Sequence, residues 1–192
     1  MESSGRWCIS YDSYTKILIM ARIPVTLIHA DDFYNVNEID ALHSTISSLP
    51  FIRKEYGEEI ENFNLIQPGL QDIFSFIIGE QVTIDEKHSG VFRRPMRCQI
   101  HFESFNNPNE WCFMIALERT TFNVYKHLSG AKNALYGTNF NYKNLFEWDY
   151  TTNILLEKNQ GLFYRPWLFH SIEDGLIHYF KLNSGNAYEE KI

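Results

Sequence analysis

The sequence predicts a mainly β protein that carries two or three helices near its N-terminus. Hydrophobic residues make up 44% of the chain and charged residues 21%, which is a globular composition. The aromatic share is 16%, and aromatic side chains suit β-sheet cores because each buries a large area. From about residue 80, short segments rich in Phe, Tyr, Trp, Ile and Thr alternate with turn signals. Six or seven strands in a sandwich or barrel are therefore expected.

Two short strands and a helix are predicted at the start of the chain. Residues 15–29 are rich in β-branched and apolar types, and Pro24 interrupts them, which favours two strands with a bend. Asn35, followed three residues later by Glu38, is a variant of the capping box. The predicted helix ends at Pro50, and its apolar residues recur at helical spacing: Ile39, Leu42, Ile46 and Leu49.

A second helix is predicted after a mixed, acidic stretch at residues 51–66, which we interpret as a solvated connection. Pro68 opens this helix and Gly79 closes it. Its apolar residues form one broad face: Leu70, Ile73, Phe74, Ile77 and Ile78. Helices of this kind usually pack on a sheet.

The rest of the chain is predicted to form the β core. After Val82 and Ile84, strands are expected over residues 91–103, 111–118, 121–127, 151–157, 161–169 and 175–182. Residues 128–150 are too polar and Asn-rich for a core strand, so we expect a long insert loop that lines a functional site. We expect one domain over residues 1–192, with strands and helices in 1–80, the core in 81–183 and a tail at 184–192.

Charge and cysteine usage restrict the class of protein. The formal net charge is −7 and the only basic cluster lies at residues 93–97, which argues against a nucleic-acid partner. The three cysteines, Cys8, Cys98 and Cys112, form no CxxC pair, and the first residues do not form a signal peptide. The longest apolar run, residues 111–117, is far too short to span a membrane. A cytoplasmic protein with no membrane partner is expected.

Three residues form a candidate metal site. His101 and Glu103 lie two residues apart in a predicted strand, so their side chains point to the same face. His170 follows a run in which alternation would place it on the face opposite Arg165. Two histidines and one carboxylate are the ligand set of a non-haem Fe(II) site, and they leave three positions open.

The order of these features resembles the Fe(II)/2-oxoglutarate-dependent oxygenases, a superfamily with a double-stranded β-helix (jelly-roll) fold. The resemblance covers about residues 23–182 and is one of pattern rather than identity. Its segments are an opening strand with Asp-x-Phe at 23–34, the His-x-Glu motif at 100–103, two following strands at 111–117 and 120–125, and a late turn, strand and histidine at 158–171.

The resemblance implies a jelly-roll core, a dioxygenase that hydroxylates a small molecule or peptide, and the cofactors Fe(II) and 2-oxoglutarate. His101, Glu103 and His170 would be the iron ligands, although most members have Asp where this chain has Glu103. Many members place an Arg about ten residues after the second histidine to bind 2-oxoglutarate, and this chain has none there. The candidates for that role are Lys181, His178, Arg119 and Lys126, and those for the substrate pocket are Trp111, Trp148 and Phe105.

Two other functions remain open from the sequence. The missing Arg favours a catalytically inactive jelly-roll that serves as a binding or structural protein. A cupin-type metalloenzyme would use the same barrel without 2-oxoglutarate and would bring a further histidine to the metal, for which His127 is the candidate.

Overall fold

The structure, a computed structural model, describes residues 7–11, 15–19, 26–54, 57–60, 66–94 and 99–184. The bend expected at Pro24, most of the basic cluster and the tail beyond residue 184 lie outside the described residues. The helices are α1 Val36–Ser47 and α2 Leu70–Ile78. The described strands are β1 Trp7–Tyr11, β2 Thr15–Ile19, β3 Leu27–Asp31, β4 Ile52–Lys54, β5 Gly57–Glu59, β6 Val82–Arg94, β7 Trp111–Ala116, β8 Thr120–His127, β9 Trp148–Leu156, β10 Gly161–Tyr164, β11 His170–Glu173 and β12 Gly175–Ser184.

These strands form two antiparallel sheets, as expected for a jelly-roll. The larger sheet has the order β1-β2-β3-β10-β7-β12-β6-β5-β4, and the smaller sheet has the order β11-β8-β9. The segment at residues 99–103 joins the smaller sheet at β11 through an antiparallel bridge between His101 and His170. This bridge brings the two histidines of the candidate site opposite each other.

Two hydrophobic cores lie on either side of the larger sheet. Successive side chains of a strand point to opposite faces, and every residue of β7 is buried. Phe113 and Ile115 pack in the first core with residues of both helices. Cys112 and Met114 pack in the second core with residues of the smaller sheet. Odd and even positions of β7 therefore belong to different layers of the molecule.

Both helices lie where the sequence predicts, although α1 ends at Ser47, before Leu49, and α2 begins at Leu70, two residues after Pro68. Asn35 Oδ1 accepts a hydrogen bond from Glu38 N at 3.0 Å, and Glu38 Oε2 accepts one from Asn35 N at 2.9 Å, which confirms the capping box. Gly79 caps the C-terminus of α2 with a φ of 78°, a conformation that favours glycine. Ile73, however, is 49% exposed, so the buried face of α2 is narrower than predicted. No described helix is long and apolar enough to span a membrane.

The stretch at residues 51–66 differs from its prediction as a solvated connection. β4 and β5 pair there as a short hairpin at the edge of the larger sheet. Lys54 Nζ lies 2.9 Å from Glu59 Oε1, and Arg53 is the cross-strand partner of Glu58. Opposite charges across two strands stabilise such a pair, while an edge strand tolerates charge well.

The predicted strand at 161–169 is not continuous. Of the predicted strand at 91–103, the described residues 99–103 form only an isolated bridge at His101. β10 ends at Tyr164, and a turn closed by Leu168 N donating to Arg165 O at 3.1 Å leads the chain to the smaller sheet. Pro166 lacks the N–H that a continuing ladder would need, which explains the break. The alternation predicted for residues 163–170 is therefore interrupted, and His170 begins a new strand, β11.

Substitution of Gly175 by alanine is expected to destabilise the fold by about 2–4 kcal/mol. Gly175 has a φ of +110°, and a Cβ there would lie 2.5 Å from the backbone oxygen of Arg119, which cannot move aside as a flexible side chain could. Gly130→Ala is the matched control, because Gly130 has a φ of +96° and nothing within 4 Å of the added carbon. Urea denaturation of both variants measures the difference, and equal losses would contradict the steric reason.

Candidate metal centre

The backbone around the bridge positions the three candidate ligands. His101 N donates to His170 O, and His170 N donates to His101 O, both at 2.9 Å. Glu103 N donates to Pro166 O at 2.9 Å. The segment is too short to count as a strand, but its extended pairing keeps the two-residue spacing that places His101 and Glu103 on one face. The ring centroids of His101 and His170 lie 4.4 Å apart.

The three ligand atoms converge on one point. Glu103 Oε1 lies 3.5 Å from His101 Nε2 and 3.8 Å from His170 Nε2. One ligand atom from each of the three residues lies within 4.8 Å of the others. Imidazole and carboxylate ligands sit about 2 Å from a transition-metal ion, so an ion between these atoms can contact all three after small side-chain movements.

Hydrogen bonds at the far side of each ring prepare both histidines for a metal. His101 Nδ1 lies 2.9 Å from Gln99 O, and His170 Nδ1 lies 2.8 Å from Leu168 O. A carbonyl oxygen only accepts, so Nδ1 of each ring carries the proton and each Nε2 keeps its lone pair. His170 Nε2 is buried and has no hydrogen-bond partner among the described residues. A bound metal ion would satisfy this atom, and the donor set of two imidazoles and one carboxylate suits Fe(II).

The protonation states also suit a metal. Burial acts to raise the pKa of the Glu103 carboxyl, but the neighbouring imidazoles of His101 and His170 together lower it by more, so this pKa lies well below its usual range. Burial and the neighbouring His101 lower the pKa of His170, against the opposing effect of Glu103. An ionised carboxylate and a neutral imidazole are the forms that bind metal ions.

Aromatic rings enclose the inner side of the centre. The His170 ring stacks on Phe122 at 4.9 Å with an interplanar angle of 16°, and Tyr164 meets it nearly edge-on at 4.9 Å. All three side chains are fully buried. Phe102 contacts Phe169 at 6.4 Å. The centre therefore borders the apolar core between the sheets.

The insert at residues 128–150 packs beside the centre. Ala134 N donates to Trp167 O at 2.8 Å, close to where the chain enters β11. The ring of Tyr142 stacks on Trp148, and Trp148 meets Phe169 at 4.9 Å. The predicted insert thus contacts Phe169, which precedes His170, but its last three residues, 148–150, belong to β9 and not to a loop.

Lys181 is the predicted cation that the structure brings into the same layer as the ligands. It is the cross-strand partner of Cys112, and it is 6% exposed. Lys181 Nζ donates to Ser104 O at 2.8 Å, and Ser104 directly follows Glu103. A buried ammonium group therefore contacts the residue that follows a candidate ligand in the chain.

The other three predicted cations lie elsewhere. Arg119 and Lys126 are exposed and pair with Glu157 and Asp149 at 3.4 and 3.3 Å. His178 is cross-strand to Ile115, so it faces the first core rather than the second. Successive residues of a strand face opposite sides of the sheet. The positions of His178 and Lys181 on β12 differ by three, so their side chains face opposite cores.

Of the three predicted pocket residues, Trp148 and Phe105 lie in the layer of the ligands and Trp111 does not. Trp111 is 2% exposed and faces the helices, because it occupies an odd position of β7. The guanidinium of Arg165 lies 3.7 Å from the Trp111 ring, so Arg165 points away from His170.

Sequence reasoning did not nominate several buried polar residues near Lys181. Cys112 Sγ lies 3.0 Å from Tyr179 Oη, and Glu110 is 3% exposed. Burial, and then the charge of Glu103, raise the pKa of the Cys112 thiol. Strand parity could have found Cys112 and Tyr179 once β7 and β12 were known to pair, but no local signal marks Glu110 as buried.

His127, the extra histidine considered for a cupin-type site, has other contacts. Its Nδ1 lies 2.8 Å from Ser129 Oγ, and its Nε2 lies 3.6 Å from Glu147 Oε2. Within the described part of the chain, His101, Glu103 and His170 are the one group of three residues arranged to hold a metal.

Comparison with known proteins supports the fold. No family model and no curated protein matches the sequence. Among solved structures, HygX from Streptomyces hygroscopicus, with nickel, 2-oxoglutarate and hygromycin B bound, superposes with a TM-score of 0.55 at 8% identity, covering 83% of each chain. The non-heme alpha ketoglutarate dependent epimerase SnoN superposes with a TM-score of 0.54 at 10% identity, covering 87% of this chain and 82% of that one.

The alpha ketoglutarate dependent carbocyclase SnoK is a third structural neighbour, with a TM-score of 0.52 at 9% identity, covering 82% of this chain and 79% of SnoK. Identities this low carry no information on substrate or reaction. The shared architecture shows that this chain has the double-stranded β-helix fold found in 2-oxoglutarate-dependent oxygenases.

Proposed function

We propose that this protein is a non-haem iron, 2-oxoglutarate-dependent dioxygenase that hydroxylates a small molecule or peptide. The observation that carries the proposal is the arrangement of the two Nε2 atoms around the Glu103 carboxylate, with both Nδ1 atoms held by backbone carbonyls. The structural neighbours with bound or required 2-oxoglutarate support it. When bound, Fe(II) with 2-oxoglutarate would supply the oxidising chemistry.

The protein's own residues would hold and shield this centre. His101, Glu103 and His170 would occupy one face of the ion and leave the remaining positions open to small molecules. Phe122 and Tyr164 pack against the ring of His170 and so fix its orientation, and they line the inner side of the centre with aromatic surface. Excluding water in this way limits side reactions.

Lys181 is our candidate for the residue that binds the far carboxylate of 2-oxoglutarate. A buried carboxylate needs a cation, and Lys181 is the one of the four predicted candidates that is buried in the ligand layer. Its contact with Ser104 places it near the ligand Glu103. The dioxygenase therefore uses a lysine where many members of the superfamily use an arginine.

The proposal is tested by turnover of 2-oxoglutarate. Protein loaded with Fe(II) in air is expected to form succinate slowly even without its substrate, and the Glu103→Ala variant is expected to form none. Liquid chromatography with mass spectrometry quantifies succinate. Wild-type protein that binds Fe(II) and yet forms no more succinate than the variant, with any of a panel of substrates, would favour the non-catalytic jelly-roll.

Replacing Lys181 with methionine is expected to raise the KM for 2-oxoglutarate by about tenfold or more, because the carboxylate loses its cation. Affinity for the metal should stay within a few fold, since Lys181 is not one of the three candidate ligands and its Nζ contacts Ser104. Lys126→Met is the matched control, because Lys126 pairs with Asp149 at the surface. An unchanged KM in the Lys181 variant would remove this residue from the co-substrate site.

A further inference from the structure

We propose that Glu110 competes with the co-substrate for Lys181 and is therefore a specificity-determining residue for the tail of the 2-oxo acid. This inference rests on the proposed function. Its consequence is that the protein distinguishes weakly between 2-oxoglutarate and 2-oxo acids that lack a distal carboxylate.

Among the described residues, the contacts of Lys181 leave its ammonium group only partly satisfied. Lys181 Nζ, which has three N–H donors, lies 2.8 Å from Ser104 O, 3.4 Å from Ser104 Oγ and 4.0 Å from Glu110 Oε2. The last distance is too long for a hydrogen bond. An incoming carboxylate could use the donor that points toward Glu110.

The two oxygens of the buried Glu110 carboxylate differ in their hydrogen bonding. Its Oε1 accepts a hydrogen bond from Asn106 N at 3.1 Å, whereas its Oε2 is buried and has no hydrogen-bond partner in the part of the chain that the structure describes. The residue itself is 3% exposed. Burying an unsatisfied carboxylate oxygen is costly, so Lys181 is needed by Glu110 as its counter-charge.

The net charge of this pair decides how an anion would bind. Lys181 and Glu110 together are neutral, so a distal carboxylate placed at Lys181 would introduce a second negative charge beside Glu110. Two carboxylates that share one ammonium in a buried site repel each other, and this repulsion cancels part of the attraction to Lys181. A tail without charge would suffer no such repulsion.

The pair belongs to the same layer as the metal ligands. Cys112, which is cross-strand to Lys181, packs in the second core with residues of the smaller sheet. Ser104 joins Lys181 to the segment that carries His101 and Glu103. Glu110 is thus placed to act on a molecule bound between the metal centre and Lys181.

The test compares two 2-oxo acids on protein loaded with Ni(II), which binds without turnover. Calorimetry gives the Kd of 2-oxoglutarate and of 2-oxopentanoate, whose tail ends in a methyl group. In the wild-type protein 2-oxoglutarate should bind at most about tenfold more tightly, because Glu110 offsets the carboxylate's advantage. In Glu110→Gln this ratio should rise by about tenfold or more, as the amide keeps the shape and removes the charge.

The control is Glu59→Gln, which removes the carboxylate of a Lys–Glu pair at the sheet edge and should leave the ratio unchanged. A wild-type ratio well above tenfold, or the same ratio in wild type and Glu110→Gln, would overturn the proposal. The wild-type ratio decides by itself if the variant does not fold. If Ni(II) binds and neither oxo acid does, the proposed function fails, and this inference fails with it.

Discussion

Replacing His101 with alanine is expected to weaken Ni(II) binding by at least about a hundredfold. The variant keeps only Glu103 and His170 as ligands, and the arrangement around the Glu103 carboxylate is lost. His101 is the better choice for this test than His170, because His101 is partly exposed whereas His170 is packed among rings. Calorimetry on metal-free protein measures the affinity, and far-UV circular dichroism checks that the variant folds.

Two other histidine variants serve as controls for that result. His88→Ala removes an exposed imidazole that pairs with Asp85 at 2.8 Å, and it should bind Ni(II) as the wild type does. His127→Ala should also bind normally, and a loss there would favour the cupin-type site instead. Full Ni(II) affinity in the His101 variant would rule out the proposed centre.

Replacing His178 with leucine is expected to protect the fold against acid. Burial lowers the pKa of His178 from 6.5 to about 3, and neither ring nitrogen has a hydrogen-bond partner. Above pH 6.5 the imidazole is neutral in the folded and the unfolded chain and contributes no pH dependence. Below that pH the unfolded chain binds a proton that the folded chain does not, so stability falls as the pH falls towards about 3.

In this window the unfolding free energy of the wild type is expected to fall by about 1.4 kcal/mol per pH unit because of His178, and the leucine variant should not show this loss. The two unfolding free energies should therefore diverge by about 2–3 kcal/mol between pH 6.5 and 4.5. Urea denaturation at several pH values measures this difference. A constant gap between His178→Leu and wild type would show that His178 titrates normally.

Local patterns in the sequence predicted the helices and the type of fold. The capping box at Asn35 and the glycine stop at Gly79 depend on neighbouring residues, so they were readable without tertiary information. The same holds for the β character of the second half, which follows from its aromatic and β-branched segments. The two-residue spacing of His101 and Glu103 also places their side chains together in the structure, because alternate residues of any extended backbone point to the same face.

Only the tertiary structure decided which polar residues meet. His101 and His170 are opposite each other because a turn at Arg165 carries the chain from one sheet to the other, a change of layer that the run at 161–169 does not reveal. Lys181 and His178 fall on different faces because of the register between β12 and β7. Glu110 is buried beside Lys181 although it is charged and directly follows the polar turn at residues 106–109. Pairing between distant strands sets these contacts. A single sequence shows which residues alternate within a strand, but it does not show which strand pairs with it or in what register, and these decide which side chains meet.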